Sequence, residues 1–191
     1  KSIGIDITKQ MIPVCPAAHY CCGGVVVDSN GQSSIRRLYV IGESSCTGLH
    51  GANRLASNSL TEAIVYGDRA AKHAISLIDK VDFQDGIPDW DFEGTAEAEE
   101  MVLVLQNRRE LQAIMSNYVG IVRSNLRLER AMKRLAIIWQ ETEGLYNRTR
   151  PSRELCELRN MTAVAYLTIK QARECKESVG LHYTIDYPPV K

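Results

Sequence analysis

His50-Gly51-Ala52-Asn53-Arg54-Leu55-Ala56-Ser57-Asn58-Ser59-Leu60 is the stretch that decides the fold of the first part of this chain. It follows a strand-like run, Leu38-Tyr39-Val40-Ile41, that ends in Gly42-Glu43. It leads into Leu60, Ile64, Gly67, Ala71, Ile75 and Ile78, apolar or small positions on one helical face. A strand, a Gly followed by an acid, a Gly-bearing loop and a polar helix start form the arrangement in which nucleotide cofactors are commonly held. Arg54, inside that loop, suits a carboxylate ligand, because a guanidinium grips a carboxylate with two parallel hydrogen bonds.

Upstream of this stretch, Val25-Val26-Val27 and the turn residues Asp28-Ser29-Asn30-Gly31-Gln32 predict a strand entering a tight turn. Residues 35–41 are expected to return as a second strand. Ser59 and Glu62 have capping-box spacing at the start of the long helix. Downstream, residues 81–104 read as an acidic linker rich in Asp, Gly and Pro, with Met101 to Leu105 ambiguous between strand and helix. Asn107 and Glu110 have capping-box spacing for a helix bearing Leu111, Ile114, Met115 and Tyr118. A second helix carries Leu128, Ala131, Met132, Leu135, Ile138, Trp139 and Thr142. Arg150-Pro151-Ser152 breaks the chain, and a third carries Leu155, Leu158, Thr162, Ala165, Ile169, Ala172 and Lys176. Short connections predict an antiparallel three-helix bundle over residues 105–191, ending in an extended tail from His182. The expected fold class is mainly α with a small β portion: part of a cofactor-binding domain over residues 1–80, then the linker, then the bundle.

Composition narrows the function. The 191 residues are 45% hydrophobic and 24% charged, ordinary for a soluble globular protein. A formal net charge of zero gives no overall drive toward nucleic acid or anionic membrane. No apolar run approaches the roughly 20 residues of a membrane helix. No signal peptide is visible, although the first residues, Lys1-Ser2-Ile3, include no initiator Met. The six cysteines, Cys15, Cys21, Cys22, Cys46, Cys156 and Cys175, form neither a Cys-x-x-Cys pair nor a zinc pattern. They read as free thiols of a reducing, cytoplasmic compartment, and no metal site is expected.

Each candidate has an ordinary alternative. Glu43, just past a strand and a Gly, suits the hydroxyls of a cofactor's sugar or sugar alcohol; it would otherwise be a surface carboxylate in a turn. The helix start at Ser57-Asn58-Ser59-Leu60 offers free N–H groups to a negative charge such as that of a reduced flavin; small polar residues also merely cap helices. Arg54 is otherwise a solvated loop cation. His19 and His50 are candidates for polar contacts, although most lone histidines are structural. Arg123, Arg127, Arg130, Lys133 and Arg134 read as a solvated helix face rather than a phosphate site, since no aromatic platform accompanies them.

Taken together, several spaced motifs carry a resemblance. They are Pro16-Ala17-Ala18-His19-Tyr20-Cys21-Cys22-Gly23-Gly24, Leu38-Tyr39-Val40-Ile41-Gly42-Glu43, Thr47-Gly48-Leu49-His50-Gly51-Ala52-Asn53-Arg54 and Ala56-Ser57-Asn58-Ser59-Leu60. The chain resembles the flavoprotein family of succinate dehydrogenase, fumarate reductase and L-aspartate oxidase over essentially its whole length. Thr47-Gly48-Leu49, Ala56-Ser57-Asn58-Ser59-Leu60, Asn117-Tyr118-Val119-Gly120-Ile121-Val122-Arg123-Ser124 and the ending around Gly180-Leu181-His182-Tyr183 and Asp186-Tyr187-Pro188 are more similar to its L-aspartate oxidase members. Val179 departs from the pattern, standing where the family commonly has arginine.

The resemblance implies FAD as cofactor, with Glu43 on its ribityl or ribose hydroxyls and the backbone N–H groups of Ser59 and Leu60 at the flavin ring. It implies that His19 and Arg54 bind the carboxylates of L-aspartate or another dicarboxylate. The implied reaction is oxidation of L-aspartate to iminoaspartate, with oxygen or fumarate as acceptor, feeding NAD synthesis through quinolinate synthase. Family members also carry a Gly-x-Gly-x-x-Gly unit for the FAD pyrophosphate and a capping domain with the proton-transferring arginine. Neither is found in this sequence, so no catalytic residue is assigned and the chain alone is expected to be inactive. Two other readings stay open: part of a fumarate reductase or succinate dehydrogenase flavoprotein, and a stand-alone helical interaction module.

Overall fold

Three apolar stripes at helical spacing close on one another in the second half of the chain. The computed structural model describes residues 4–91, 93, 96 and 101–189. In order, these form β1 (Val25–Val26), a 3-10 turn (Gly42–Ser44), β2 (Ser45–Cys46), α1 (Asn58–Ile78), α2 (Met101–Tyr118), β3 (Val122–Arg123), α3 (Asn125–Arg148), α4 (Arg153–Glu174) and β4 (Tyr183–Thr184). α3 packs on both α2 and α4, and α2 also touches α4. The bundle core includes Leu111 and Ile114 from α2, Leu128, Leu135 and Ile138 from α3, and Leu155, Leu158 and Ile169 from α4. These positions recur every three or four residues, so each helix buries one face.

Serines start two of these helices. Ser124 and Ser152 are extended, and their hydroxyls accept from the backbone N–H of Arg127 and Leu155. Each such cap stabilises by about 1 kcal/mol. The buried hydroxyls of Thr142 and Thr162 donate to Ile138 O at 2.6 Å and Arg159 O at 2.7 Å, so neither is left unpaired in the core.

The bundle differs from expectation in two places. α2 is already helical at Met101, so Asn107 does not open it. Asn107 is instead buried within the helix, its Nδ2 donating to Glu141 Oε2 at 2.9 Å. A partner on a neighbouring helix outweighed a local cap. Trp139 is 52% exposed; it follows Ile138 by one residue, which turns it out of the core.

In the first half, β1 pairs with β2 in parallel, Val25 opposite Ser45 and Val26 opposite Cys46. Gly24 lies at φ +142, where an added Cβ would stand 2.2 Å from Ser44 O; only glycine permits this approach. The expected strand over residues 35–41 does not form. A single antiparallel bridge joins Gln32 to Tyr39. Leu38 N bonds back to Ile35 O at 3.0 Å, with Arg37 left-handed at φ +70, and this turn uses up the residues that would have run straight.

α1 also faces differently from the prediction. Its packed side carries buried Glu62 and Ala70, with Tyr66 and His73 half-buried. The apolar stripe is outward: Leu60 is 71% exposed, Ile64 63%, Ile75 68% and Ile78 68%. The expected Ser59–Glu62 capping box is absent, since the N-cap is Ser57, left-handed at φ +71 with no side-chain cap bond.

The tail ties the halves together. β4 pairs in parallel with β3, and Asp186 Oδ2 accepts from Asn125 N at 2.6 Å, at the positive end of α3. Leu181 N donates to Ala52 O at 3.0 Å, so the bundle's last segment holds the loop that bears Arg54.

Candidate active site

The loop from Thr47 to Arg54 lies between the Tyr20–Cys22 segment and the start of α1. Arg54 N donates to Cys22 Sγ at 3.3 Å, and Arg54 Cζ sits 4.8 Å from the centroid of the Tyr20 ring. That cation–π contact orients the guanidinium. Arg54 Nε is buried and has no hydrogen-bond partner among the described residues. A buried, unpartnered N–H is costly unless a ligand accepts from it. His50 stands edge-on to the same Tyr20 ring, with centroids 5.2 Å apart, and its Nδ1 is likewise buried and unpaired.

His19 is next to Tyr20 and is itself exposed. The structure therefore brings the His19 segment against Arg54, although no hydrogen bond from the described residues fixes the His19 ring. Glu43 lies in the 3-10 turn and is exposed; its Oε1 accepts from Cys21 N at 3.0 Å. The carboxylate thus anchors the backbone of the His19 segment and still presents its outer side. Ser59 and Leu60 lie in the first turn of α1, whose N–H groups receive no side-chain cap. The five residues to which the resemblance gives roles lie on segments joined by these contacts: Glu43 through Cys21, His19 through its neighbour Tyr20, Arg54 through Cys22 and Tyr20, and Ser59 and Leu60 a few residues beyond Arg54.

Glu62, expected from its spacing to cap α1 locally, instead turns into the site. Glu62 is 2% exposed. It accepts from Thr47 Oγ1, from His50 Nε2 at 2.7 Å and from the Tyr20 hydroxyl at 3.5 Å. Burial, then the carboxylates of Glu62 and Glu43, push the Tyr20 phenol up, so it stays a donor. An acid between Thr61 and Ala63, followed by Tyr66 on the same face, was the available signal, but its partners lie 12, 15 and 42 residues away.

The five cations do not share one helix face, because Arg123 lies in β3 ahead of α3, and most of them are neutralised or held. Lys133 pairs with Glu129 at 2.7 Å, and Arg134 Nη1 lies 3.9 Å from Glu110. Arg123 Nη1 meets His182 Nδ1 at 2.9 Å. Among the described residues, no three His, Cys, Asp or Glu side chains are grouped to hold a metal ion, and no helix is long and apolar enough to cross a membrane.

A parallel strand pair with an acid in the turn that precedes its second strand, a loop whose arginine keeps a buried, unpartnered Nε–H, and an uncapped helix start, joined to a helical bundle, match part of a flavoprotein. The "FAD binding domain" family matches residues 1–60, and the "Fumarate reductase flavoprotein C-term" family matches residues 108–190. L-aspartate oxidase of Yersinia pestis is 50% identical over 187 residues, 98% of this chain and 35% of the relative. L-aspartate oxidase of Acinetobacter baylyi is 50% identical over 189 residues, 99% of this chain and 35% of the relative. A solved E. coli quinol fumarate reductase superposes with a TM-score of 0.78 at 27% identity, covering 99% of this chain and 35% of that one. The chain belongs to the flavoprotein family of succinate dehydrogenase, fumarate reductase and L-aspartate oxidase, and falls with its L-aspartate oxidase members. It spans about a third of the length of the curated relatives it matches.

Proposed function

We propose that this chain supplies the substrate-gripping loop and one wall of the FAD site in an enzyme that oxidises L-aspartate to iminoaspartate, a step toward quinolinate and NAD. The observation that carries this reading is Arg54: its guanidinium lies over Tyr20 and its Nε–H is buried without a partner. A carboxylate supplies the missing acceptor, and the bidentate geometry of arginine suits it. His19, exposed on the adjoining segment, donates to the same dicarboxylate. The residues fit FAD: Glu43 presents its outer side to hydroxyls, and the uncapped start of α1, at Ser59 and Leu60, presents N–H groups to the electron-rich edge of a flavin. FAD, when bound, supplies the two-electron acceptor. This chain's own part is to bind, orient and neutralise charge, and no acid–base role is assigned to any of its residues.

The alternative of a fumarate reductase or succinate dehydrogenase is less well supported, since identity to the L-aspartate oxidases is 50% against 27% to the solved fumarate reductase. The reading extends to oxygen or fumarate as the final acceptor, quinolinate synthase as the consumer of the product, and a cytoplasmic location. The division into residues 1–80, 81–104 and 105–191 belongs to the same proposal.

The experiment is an anaerobic titration of the complete FAD-loaded protein with L-aspartate and, separately, with succinate, followed by flavin absorbance. L-aspartate is expected to bleach the oxidised flavin and succinate only to perturb its spectrum. Bleaching by succinate with none by L-aspartate would overturn the assignment in favour of a dehydrogenase.

A further inference from the structure

Donors from two separate parts of the chain converge on one buried carboxylate. Glu62 receives the hydroxyl of Thr47, the Nε2–H of His50 at 2.7 Å and the hydroxyl of Tyr20 at 3.5 Å. Its side chain is 1% exposed and that of His50 is 8% exposed. A carboxylate this deep in the protein is tolerated only when such donors surround it. All three donors belong to segments that touch or contain the Arg54 loop. Tyr20 lies beneath the guanidinium, and Thr47 and His50 begin the loop that Arg54 ends. Thr47 Oγ1 also accepts from Leu49 N at 3.2 Å, which folds the start of that loop.

The two orphaned polar atoms nearest this network, His50 Nδ1 and Arg54 Nε, belong to the residues it holds. With Nε2–H given to Glu62, a neutral His50 keeps Nδ1 as a bare acceptor.

We propose that Glu62 is a positioning residue for dicarboxylate binding: it ties Tyr20, Thr47 and His50 together so that the Arg54 guanidinium is held in one orientation before the ligand arrives. This rests on the reading of Arg54 as the carboxylate grip. Pre-ordering of this kind raises affinity by removing the cost of arranging the site on binding. A glutamine at position 62 keeps the volume and loses the charge and one acceptor oxygen, so the three donors are no longer all satisfied and the Tyr20–His50 wall loosens.

The test is a double-mutant cycle in the complete FAD-loaded protein, with succinate as the probe and flavin absorbance as the readout. The variants are Glu62→Gln, Arg54→Leu and the double substitution, with FAD content and melting temperature measured on each. Glu62→Gln is expected to weaken succinate about tenfold in the Arg54 background and less than about twofold in the Arg54→Leu background, because it acts through Arg54. Equal losses in both backgrounds, or no loss in Glu62→Gln, overturn the proposal. A merely structural role gives the equal-loss result, accompanied by a fall in FAD content. Wild-type succinate affinity in Arg54→Leu removes the carboxylate grip, and the proposal with it. A loss in Arg54→Leu with none in Glu62→Gln overturns the proposal alone. If Glu62→Gln does not fold, Thr47→Val takes its place in the cycle under the same criteria, because it removes one donor to the same carboxylate at matched volume.

Discussion

At Gly180 the segment that follows the helical bundle closes against the Arg54 loop. Gly180 sits at φ +55, and an added Cβ would stand 2.2 Å from Ala52 O and 2.5 Å from Ala52 Cβ. The next residue donates Leu181 N to Ala52 O at 3.0 Å. Gly180→Ala therefore faces two costs. A left-handed conformation costs a residue with a Cβ about 1–2 kcal/mol. Moving the segment off Ala52 loses a backbone hydrogen bond, about 1 kcal/mol. The expected destabilisation is about 2–3 kcal/mol, read as a lower urea midpoint and as faster hydrogen exchange at the Leu181 amide. Gly144 is the matched control: it lies inside α3 with nothing within 4 Å of an added Cβ. Gly144→Ala is expected to stabilise by about 0.5–1 kcal/mol, because alanine loses less chain entropy in a helix. A wild-type midpoint with Leu181 still protected in Gly180→Ala, or a shift of the same sign in both alanines, would show that Gly180 is not held against Ala52.

Other consequences concern the core and the pH response. Leu158 is 0% exposed at the centre of the bundle, so Leu158→Ala is expected to cost about 2–5 kcal/mol by thermal melting. Burial, then the Arg123 guanidinium, lowers the basicity of His182 below that of an exposed histidine. The folded state therefore prefers neutral His182, and its contribution is fully present above the unfolded value of about 6.5 and is lost as pH falls through the lower folded value. Urea midpoints at about pH 7.5 and about pH 5.5 are expected to differ less in His182→Asn than in the wild type.

The helical half was legible because its signal is local. Leu128, Leu135 and Ile138, or Leu155, Leu158 and Ile169, repeat at 3.6-residue spacing, and Arg150-Pro151-Ser152 marks the break between α3 and α4. The segments of the site were legible as motifs, but its connections were not. Glu62 has capping-box spacing from Ser59, yet the carboxylate turns inward to His50, Thr47 and Tyr20, partners that only the fold brings near. Asn107 was misread for the same reason, its partner Glu141 lying on another helix. The apolar stripe of α1 predicted the helix and misplaced its packed face, because periodicity does not say which face finds a neighbour, and the packed one carries Glu62, Tyr66, Ala70 and His73. Residues 35–41 have strand composition, and the left-handed Arg37 turn prevails over it.

Arg54 is placed to grip a substrate carboxylate beside bound flavin. The most direct measurement is L-aspartate affinity in Arg54→Leu of the complete protein, by flavin absorbance, with FAD content measured separately. Leaving a carboxylate unpaired in an enclosed site costs about 3–5 kcal/mol. That corresponds to a loss of about two to four decades in affinity, with FAD still bound. Arg54→Lys is expected to recover part of the loss, since an ammonium cannot form the planar fork. Near-wild-type affinity in Arg54→Leu at full FAD content would remove Arg54 from the carboxylate site.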